Sequence, residues 1–365
     1  MRPAFGSMGL LAIAFAAAMA TGAPARGATD SIDGFIYRTR PVTDRVHMIY
    51  RPVATDPPFE GNVTVVEQRA GLVVVDAGGT PLSGQRVVRQ IRAISRKPVR
   101  FLIYTHYHGD HNLGAGAFLR AWPDVRIVST EATRRNMTGK PMAYIGAYSK
   151  GYADTLKSLG AILLDPKASP ALKAGVAHFE ASGPGIIDAY KDLQAYPADV
   201  TFSDHMTLQD DAAPVEVMFL GPANTDGDAV VWLPKQRVVA SGDVVTAPIP
   251  YAASSFPRTW IEAIRRIEAL DYAYLVPGHG ELQTDHAYLD RVIAALQSVR
   301  DQVGPLAAQG LSLEETRKRI RLDEIKRAFA GDDAWYGFLM DNVFLGALVA
   351  NAYAEAKGLP IVQGA

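Results

Sequence analysis

At 365 residues, with 48% hydrophobic and 21% charged side chains, the chain has the composition of a soluble globular protein of one large domain or two ordinary ones. A net charge of −1, with no lysine- or arginine-rich run, excludes an electrostatic footprint for nucleic acid. Cysteine is absent, which excludes disulfides and thiolate ligands and leaves His, Asp, Glu, Asn or water to hold any metal.

The N-terminus reads as an export signal. Arg2 supplies a thin positive region, residues 9–20 are an apolar run too short to span a bilayer, and Ala23-Pro24-Ala25 offers an A-x-A cleavage site. Residues 1–27 are therefore assigned to a signal peptide. That places the mature protein outside the cytoplasm, periplasmic or secreted. A membrane anchor or a buried first helix is the competing reading.

Strand-like segments follow at residues 45–50, 62–68 and 71–76, and Asp76-Ala77-Gly78-Gly79 is a turn. Residues 83–97 put Val87, Val88, Ile91 and Ile94 on one helical face. The apolar run Val99-Arg100-Phe101-Leu102-Ile103-Tyr104 then leads into Thr105-His106-Tyr107-His108-Gly109-Asp110-His111. This motif gathers three of the chain's eight histidines around one acid. Imidazole and carboxylate are the ligand set for Zn²⁺ or a similar divalent ion. If the chain stays extended through His106, His108 and Asp110, those alternate residues point to one side, and His111 comes from the turn beyond.

Residues 112–122 read as a helix and 125–129 as a strand, so this half alternates in the manner of a helix-covered sheet. Residues 131–197 break the rhythm with helical stretches at 144–159 and 172–196. They read as a helical insertion, either covering a neighbouring site or simply extending the structure. Strands return at 200–202, 215–220, 229–233 and 237–241. A helix over 259–270 faces Trp260, Ile261, Ile264 and Ile267 inward, and a short strand covers 272–276. The remainder is helical, over 284–303, 312–329 and 335–357, with a capping box at Ser312 and Glu315. The apolar stretch 338–353 is interrupted by Asp341 and reads as a core helix.

Three further segments follow apolar runs. They are Gly221-Pro222-Ala223-Asn224-Thr225-Asp226-Gly227-Asp228, Ser241-Gly242-Asp243 and Val276-Pro277-Gly278-His279-Gly280. With the histidine motif, this order resembles the metallo-β-lactamase superfamily over residues 45–280. The resemblance implies an α/β (α+β) fold, a four-layer αβ/βα sandwich with metals at the sheet edge. The domain is expected over residues 34–300, with the insertion at 131–197 and a C-terminal helical extension at 301–365.

The resemblance also implies a ligand set. His106 and His108 match the first metal position. Asp110, His111 and His279 match the second, and Asp243 matches an aspartate that bridges both. The β-lactamase branches carry cysteine or serine in that region, so Asp243 leans away from a dedicated β-lactamase. Position 224 departs from the pattern, with Asn224 where the family has a third histidine. An amide oxygen is a weak, hard ligand. Unequal positions are expected, holding one or two Zn²⁺ or similar ions, the second more tightly. His205 and His178 are unmatched histidines that could complete the first.

A bound metal lowers the pKa of water from ~15.7 towards ~7. Asp110 or Asp243 is then placed to orient that water and take its proton. The expected activity is that of an exported metal-dependent hydrolase acting on an ester, lactone, thioester, amide or phosphoester of a small molecule. A β-lactam hydrolase and a non-catalytic metal-binding or accessory protein are the alternatives. Tyr107 is placed either to donate to an oxyanion or to point into the protein. Residues 246–260 form a stiff loop in which Tyr251 and Phe256 either line the substrate or pack on the insertion. Asp76 and Asp228 read as turn-holding residues, and His47 and His286 as ordinary histidines. Neither nucleic acid nor a lasting membrane anchor is expected as a partner, and the oligomeric state is not legible.

Overall fold

A computed structural model describes residues 36–55 and 57–364, so the signal expected at residues 1–27 lies outside the described residues. Seven strands make the first sheet, in sequence order: β1 (Arg38–Pro41), β2 (Val46–Tyr50), β3 (Val63–Glu67), β4 (Leu72–Val75), β5 (Val99–Ile103), β6 (Arg126–Thr130) and β7 (Val200–Phe202). β1 to β4 form an antiparallel meander, and β4 to β7 run parallel. The second sheet comprises β8 (His205–Leu208), β9 (Val215–Phe219), β10 (Ala229–Leu233), β11 (Val238–Thr246) and β12 (Tyr274–His279), in the order β12-β11-β10-β9-β8. Only β11 and β12 are parallel in this sheet.

The inner strands are apolar because both faces of each sheet are covered there, as in β3, β4, β10 and β11. In β4, Leu72 and Val74 pack under helices, whereas Val73 and Val75 meet the other sheet. The helical cover of the first sheet is α1 (Pro81–Ile94), the short α2 (Gly109–Asn112) and α3 (Ala115–Ala121). Thr80 starts α1 through a capping box with Ser83, and Pro81 occupies the first turn. Between β6 and β7 run α4 (Glu131–Thr138), a 3₁₀ segment (Lys140–Ala147), α5 (Tyr148–Leu164) and α6 (Pro170–Ala189). The second sheet is covered by α7 (Pro257–Glu268), α8 (Ala287–Ala308), α9 (Leu313–Arg319), α10 (Asp323–Ala330) and α12 (Gly346–Lys357), while α11 (Ala334–Leu339) buries Trp335 and Leu339 against the insertion. The second sheet's core includes Trp260, Ile261, Ile264 and Ile267 of α7, the face foreseen in the sequence. The result is a helix–sheet–sheet–helix sandwich.

Several elements differ from the expectation. The exposed edge strand Arg38–Pro41 was not foreseen, because Arg-Thr-Arg-Pro carries no apolar alternation. The stretch 312–329 is two helices rather than one, since the backbone at Ile320 is extended and α10 restarts at Asp323. The expected domain boundary at residue 300 falls inside α8. Most consequential, β11 does not stop at Ser241 but continues through Gly242 and Asp243 to Thr246.

Candidate metal centre

β5 ends at Ile103, and the next residues are pinned across both sheets. The Tyr104 amide donates to Val128 O of β6 (2.9 Å), and the Ala229 amide of β10 donates to Thr105 O (2.7 Å). The chain then does not stay extended as far as Asp110. His108 is the N-cap of α2, so Asp110 and His111 both sit in a helical turn. Asn112 holds that turn by donating to the His108 carbonyl at 2.7 Å.

The motif's histidines meet the two late motifs. His106 Nε2 lies 2.9 Å from His108 Nδ1 and 3.7 Å from Asp243 Oδ2. His111 Nε2 lies 3.1 Å from His279 Nε2, 3.2 Å from Asp243 Oδ1 and 3.4 Å from Asp110 Oδ2. Asp110 Oδ2 is also 3.0 Å from His279 Nε2. Two ligand groups result, His106–His111–Asp243 and Asp110–His111–His279, each with its donor atoms within 4.8 Å of one another. The second is the trio the resemblance implied. The first draws in His111, because Asp243 stands between His106 and His111.

Asp76 does more than hold a turn. Its Oδ1 accepts from the Thr105 amide (2.9 Å), and its Oδ2 accepts from Thr105 Oγ1 (2.8 Å) and lies 2.8 Å from His111 Nδ1. That contact makes His111 Nδ1 a donor, so it is Nε2 that turns towards the centre and offers a lone pair whenever the ring is neutral. The Thr105 hydroxyl spends its proton on Asp76, so it accepts from His106 Nδ1 at 3.0 Å, and His106 Nε2 is bare as well. Bare imidazole nitrogens therefore face one another and the Asp110 and Asp243 carboxylates in a buried cleft. Asp243 Oδ1 accepts no hydrogen bond. Such a donor set repels itself unless a cation lies among it, so these residues fit a divalent metal.

The electrostatics agree. Burial, reinforced by the neighbouring His111 and His108, holds His106 well below the usual imidazole range. Burial also depresses His111, but the carboxylates of Asp243, Asp110 and Asp76 outweigh it and hold that ring well above its usual range. Burial works against ionisation of Asp110 and Asp243, yet the surrounding imidazoles win and keep both carboxyls low. That field puts a second proton on His111 Nε2, and a metal ion bound there would take that proton's place.

The other expected residues fall around this centre. Asn224 is fully buried in the β9–β10 loop; its Nδ2 donates to Tyr251 O at 2.6 Å, and its Oδ1 has no partner. The Tyr251 ring meets His108 edge-on, with centroids 5.5 Å apart. Tyr107 is fully buried and points into the protein, its hydroxyl 3.4 Å from Ser254 Oγ and accepting from the Gly364 amide at 2.8 Å. A substrate reaches it only if those contacts move. Phe256 caps α7, and its amide donates to Ala223 O. Asp228 holds the 223–228 turn through the Ala223 and Thr225 amides and the Thr225 hydroxyl. His205 does not approach the centre, being exposed on β8 and bonded to Glu216. The His286 ring lies tilted against Tyr272, with centroids 5.2 Å apart.

The helical insertion reaches the histidine motif, as the first of its two sequence readings has it, through tyrosines that the sequence did not single out. Tyr144 Oη accepts from the Gly109 amide inside the motif (3.2 Å). Tyr144, Tyr148 and Tyr190 follow in a chain of ring contacts with centroids 5.2 and 4.4 Å apart. Burial pushes the Tyr144 and Tyr148 hydroxyls up, helped next by the charge of Asp110 at Tyr144 and by Tyr190 at Tyr148. Glu60 and Asn62, also unforeseen, border the centre from the segment before β3. Neither carried a sequence signal, because their partners are remote in the chain.

Residues 56–279 match the sequence model of the metallo-beta-lactamase superfamily. The chain belongs to the metallo-beta-lactamase superfamily. This superfamily member therefore sits in a family of hydrolases. It is 27% identical to the linear primary-alkylsulfatase of a Pseudomonas species over 276 residues, 71% of this chain and 49% of that one. It is 28% identical to the 2,4-dinitroanisole O-demethylase subunit alpha of a Nocardioides species over 250 residues, 66% of this chain and 57% of that one. Among solved structures, a stereoselective inverting sec-alkylsulfatase from a Pseudomonas species superposes with a TM-score of 0.61 at 16% identity, covering 88% of this chain and 50% of that one. The chain thus spans about half the length of the curated relatives it matches.

Proposed function

We propose that the protein is an exported, metal-dependent hydrolase that cleaves an ester between an oxyacid and an apolar alcohol, a sulfate ester being the first candidate. The observation that carries this reading is the convergence of the His106 and His111 Nε2 atoms on the buried Asp243 and partly buried Asp110 carboxylates. His106, His108, Asp110, His111, Asp243 and His279 would hold the metal, with zinc the natural choice for imidazole and carboxylate ligands. Bound there, a divalent ion supplies a water made acidic enough to lose its proton near neutral pH. Asp110 or Asp243 would orient that water and take its proton. Asp76, through His111, keeps one ligand aimed at the site.

Asn224 takes the place of a third imidazole at the first position. Its Nδ2 is fixed on Tyr251 O, so only the amide oxygen is left to face a ligand. The two positions are therefore unequal, the second held more tightly. The substrate class follows from two supports: the alkylsulfatases named above act on alkyl sulfates, and the phenol rings of Tyr144, Tyr148, Tyr190 and Tyr251 offer an apolar wall. The N-terminal pattern supports export.

Metal content after purification at neutral pH tests the centre, and a protein without bound metal would sink the reading. The Asn224→His variant is expected to raise occupancy of the first position; unchanged occupancy would refute the account of position 224. A panel of alkyl sulfate, phosphodiester, lactone, thioester and β-lactam substrates tests the class. Turnover of the alkyl sulfate is expected. Turnover of the β-lactam alone would replace the substrate class, and a metal-loaded protein inert to all five would point to an accessory role.

A further inference from the structure

Residues 59–62, Phe-Glu-Gly-Asn, stand between β2 and β3 and belong to no metal motif. We infer that Glu60, Gly61 and Asn62 form a clamp that sets the geometry of the second metal position, with Glu60 and Asn62 as positioning residues. The inference rests on the metal reading above.

The second position draws its ligands from two sheets. Asp110 and His111 follow β5 of the first sheet, and His279 ends β12 of the second. Asn62 bridges them. Its Nδ2 donates to Pro277 O (2.9 Å) and to Gly280 O (3.0 Å), and its backbone amide donates to Gly278 O (2.6 Å). These three bonds bracket His279 from a residue that enters β3.

Gly61 lies against the other half of the position. Its amide donates to Asp110 O at 3.1 Å. A β-carbon at residue 61 would lie 2.4 Å from His111 Cε1, so the close approach needs glycine. Glu60 completes the clamp. It is 2% exposed, and its Oε2 accepts from Tyr37 Oη (2.8 Å) and from the Gly79 amide. Gly79 packs on Asp110, since a β-carbon there would meet Asp110 Cα at 2.7 Å. It also closes the turn that begins at Asp76, the residue that aims His111. Phe59 extends the contact to the insertion by stacking on Phe179 of α6, with centroids 6.0 Å apart.

Groups that orient metal ligands typically change metal affinity by about 10–100-fold when removed. Zn²⁺ alone is titrated into metal-stripped protein in competition with a chromogenic chelator, for wild type, Asn62→Ala, His279→Ala and the double variant. Asn62→Ala is expected to weaken one of the two bound ions by about 10–100-fold and to add little once His279 is gone. Glu60→Ala is expected to weaken the same ion. Glu60→Gln is expected to retain it, because the amide oxygen still accepts from Gly79 and Tyr37. Should Asn62→Ala fail to fold, the Glu60 pair carries the test. Equal losses with and without His279, or wild-type affinity in a folded Asn62→Ala or Glu60→Ala protein, overturn the clamp. Wild-type protein that binds no Zn²⁺ overturns the metal reading instead, a distinguishable failure.

Discussion

Asp76 and Asp228 are both buried carboxylates at turns, yet their partners give them different work. Asp76 spends one oxygen on His111, so it shapes the metal centre. Asp228 spends both on its own loop, and burial, against the pull of the Thr225 and Ala223 bonds, pushes its carboxyl up to about 7. Because its folded value is raised above the unfolded one, the linked stability is fully present below about pH 4 and is lost as pH rises through about 7. The shift corresponds to at most on the order of 4 kcal/mol. Asp228→Asn removes the charge and keeps an oxygen for the two amides. In chelator-treated protein, the variant is expected to gain on wild type as pH rises from about 5 to about 8. Urea midpoints measure it, and parallel pH curves for the two proteins would refute it. At this scale the sequence shows clustered histidines plainly, because they are neighbours in the chain. It hides Asp76's role and Asn62 altogether, because their partners lie 35 and 215 residues away.

At the scale of elements, β11 decides where Asp243 points. Its pairing with β12 slips, Ala240 facing Val276, Gly242 facing Pro277 and Thr246 facing His279. A bulge of this kind re-aims a side chain next to a site. Gly242 carries it with φ +51°, and a β-carbon there would lie 2.5 Å from Thr105 Cβ. Gly242→Ala therefore combines left-handed backbone strain with overpacking, about 2–5 kcal/mol in total. It also pushes on the threonine that links Asp76 to His106. A lowered urea midpoint together with lowered metal content is expected, and a wild-type midpoint would refute the argument. The sandwich was legible through the motifs that carry the family resemblance; the alternation of apolar strands and helices alone announced only a helix-covered sheet. The continuation of β11 was not, since Gly242-Asp243 interrupts the run that announces it. Nor was the break at Ile320, where an extended residue divides a stretch of helical composition.

At the scale of the whole molecule, the loops around the centre are tied together by the last described residues. Gln363 donates to Ser254 O at 3.2 Å and accepts from the Asp226 amide at 3.2 Å. Gly364 donates to Tyr107 Oη, between the ligands His106 and His108, and packs against Pro141 at the start of the insertion. One strap thus joins the histidine motif, the Asn224 loop, the Tyr251 loop and the insertion. It buries little, Leu359 and Val362 being 55% and 64% exposed, so its hold comes from hydrogen bonds. Those are worth about 1 kcal/mol each. Removing residues 359–365 is expected to lower global stability by only about 1–3 kcal/mol. The two sheets, whose cores do not involve the tail, keep their protection. Amide exchange should instead accelerate in residues 105–111, 223–228 and 252–256, since the lost bonds end in those loops. Mass-resolved hydrogen exchange separates the outcomes. Faster exchange confined to those segments identifies a strap; unchanged protection there means that the sandwich holds its loops unaided, and faster exchange across both sheets means that the tail belongs to the global fold.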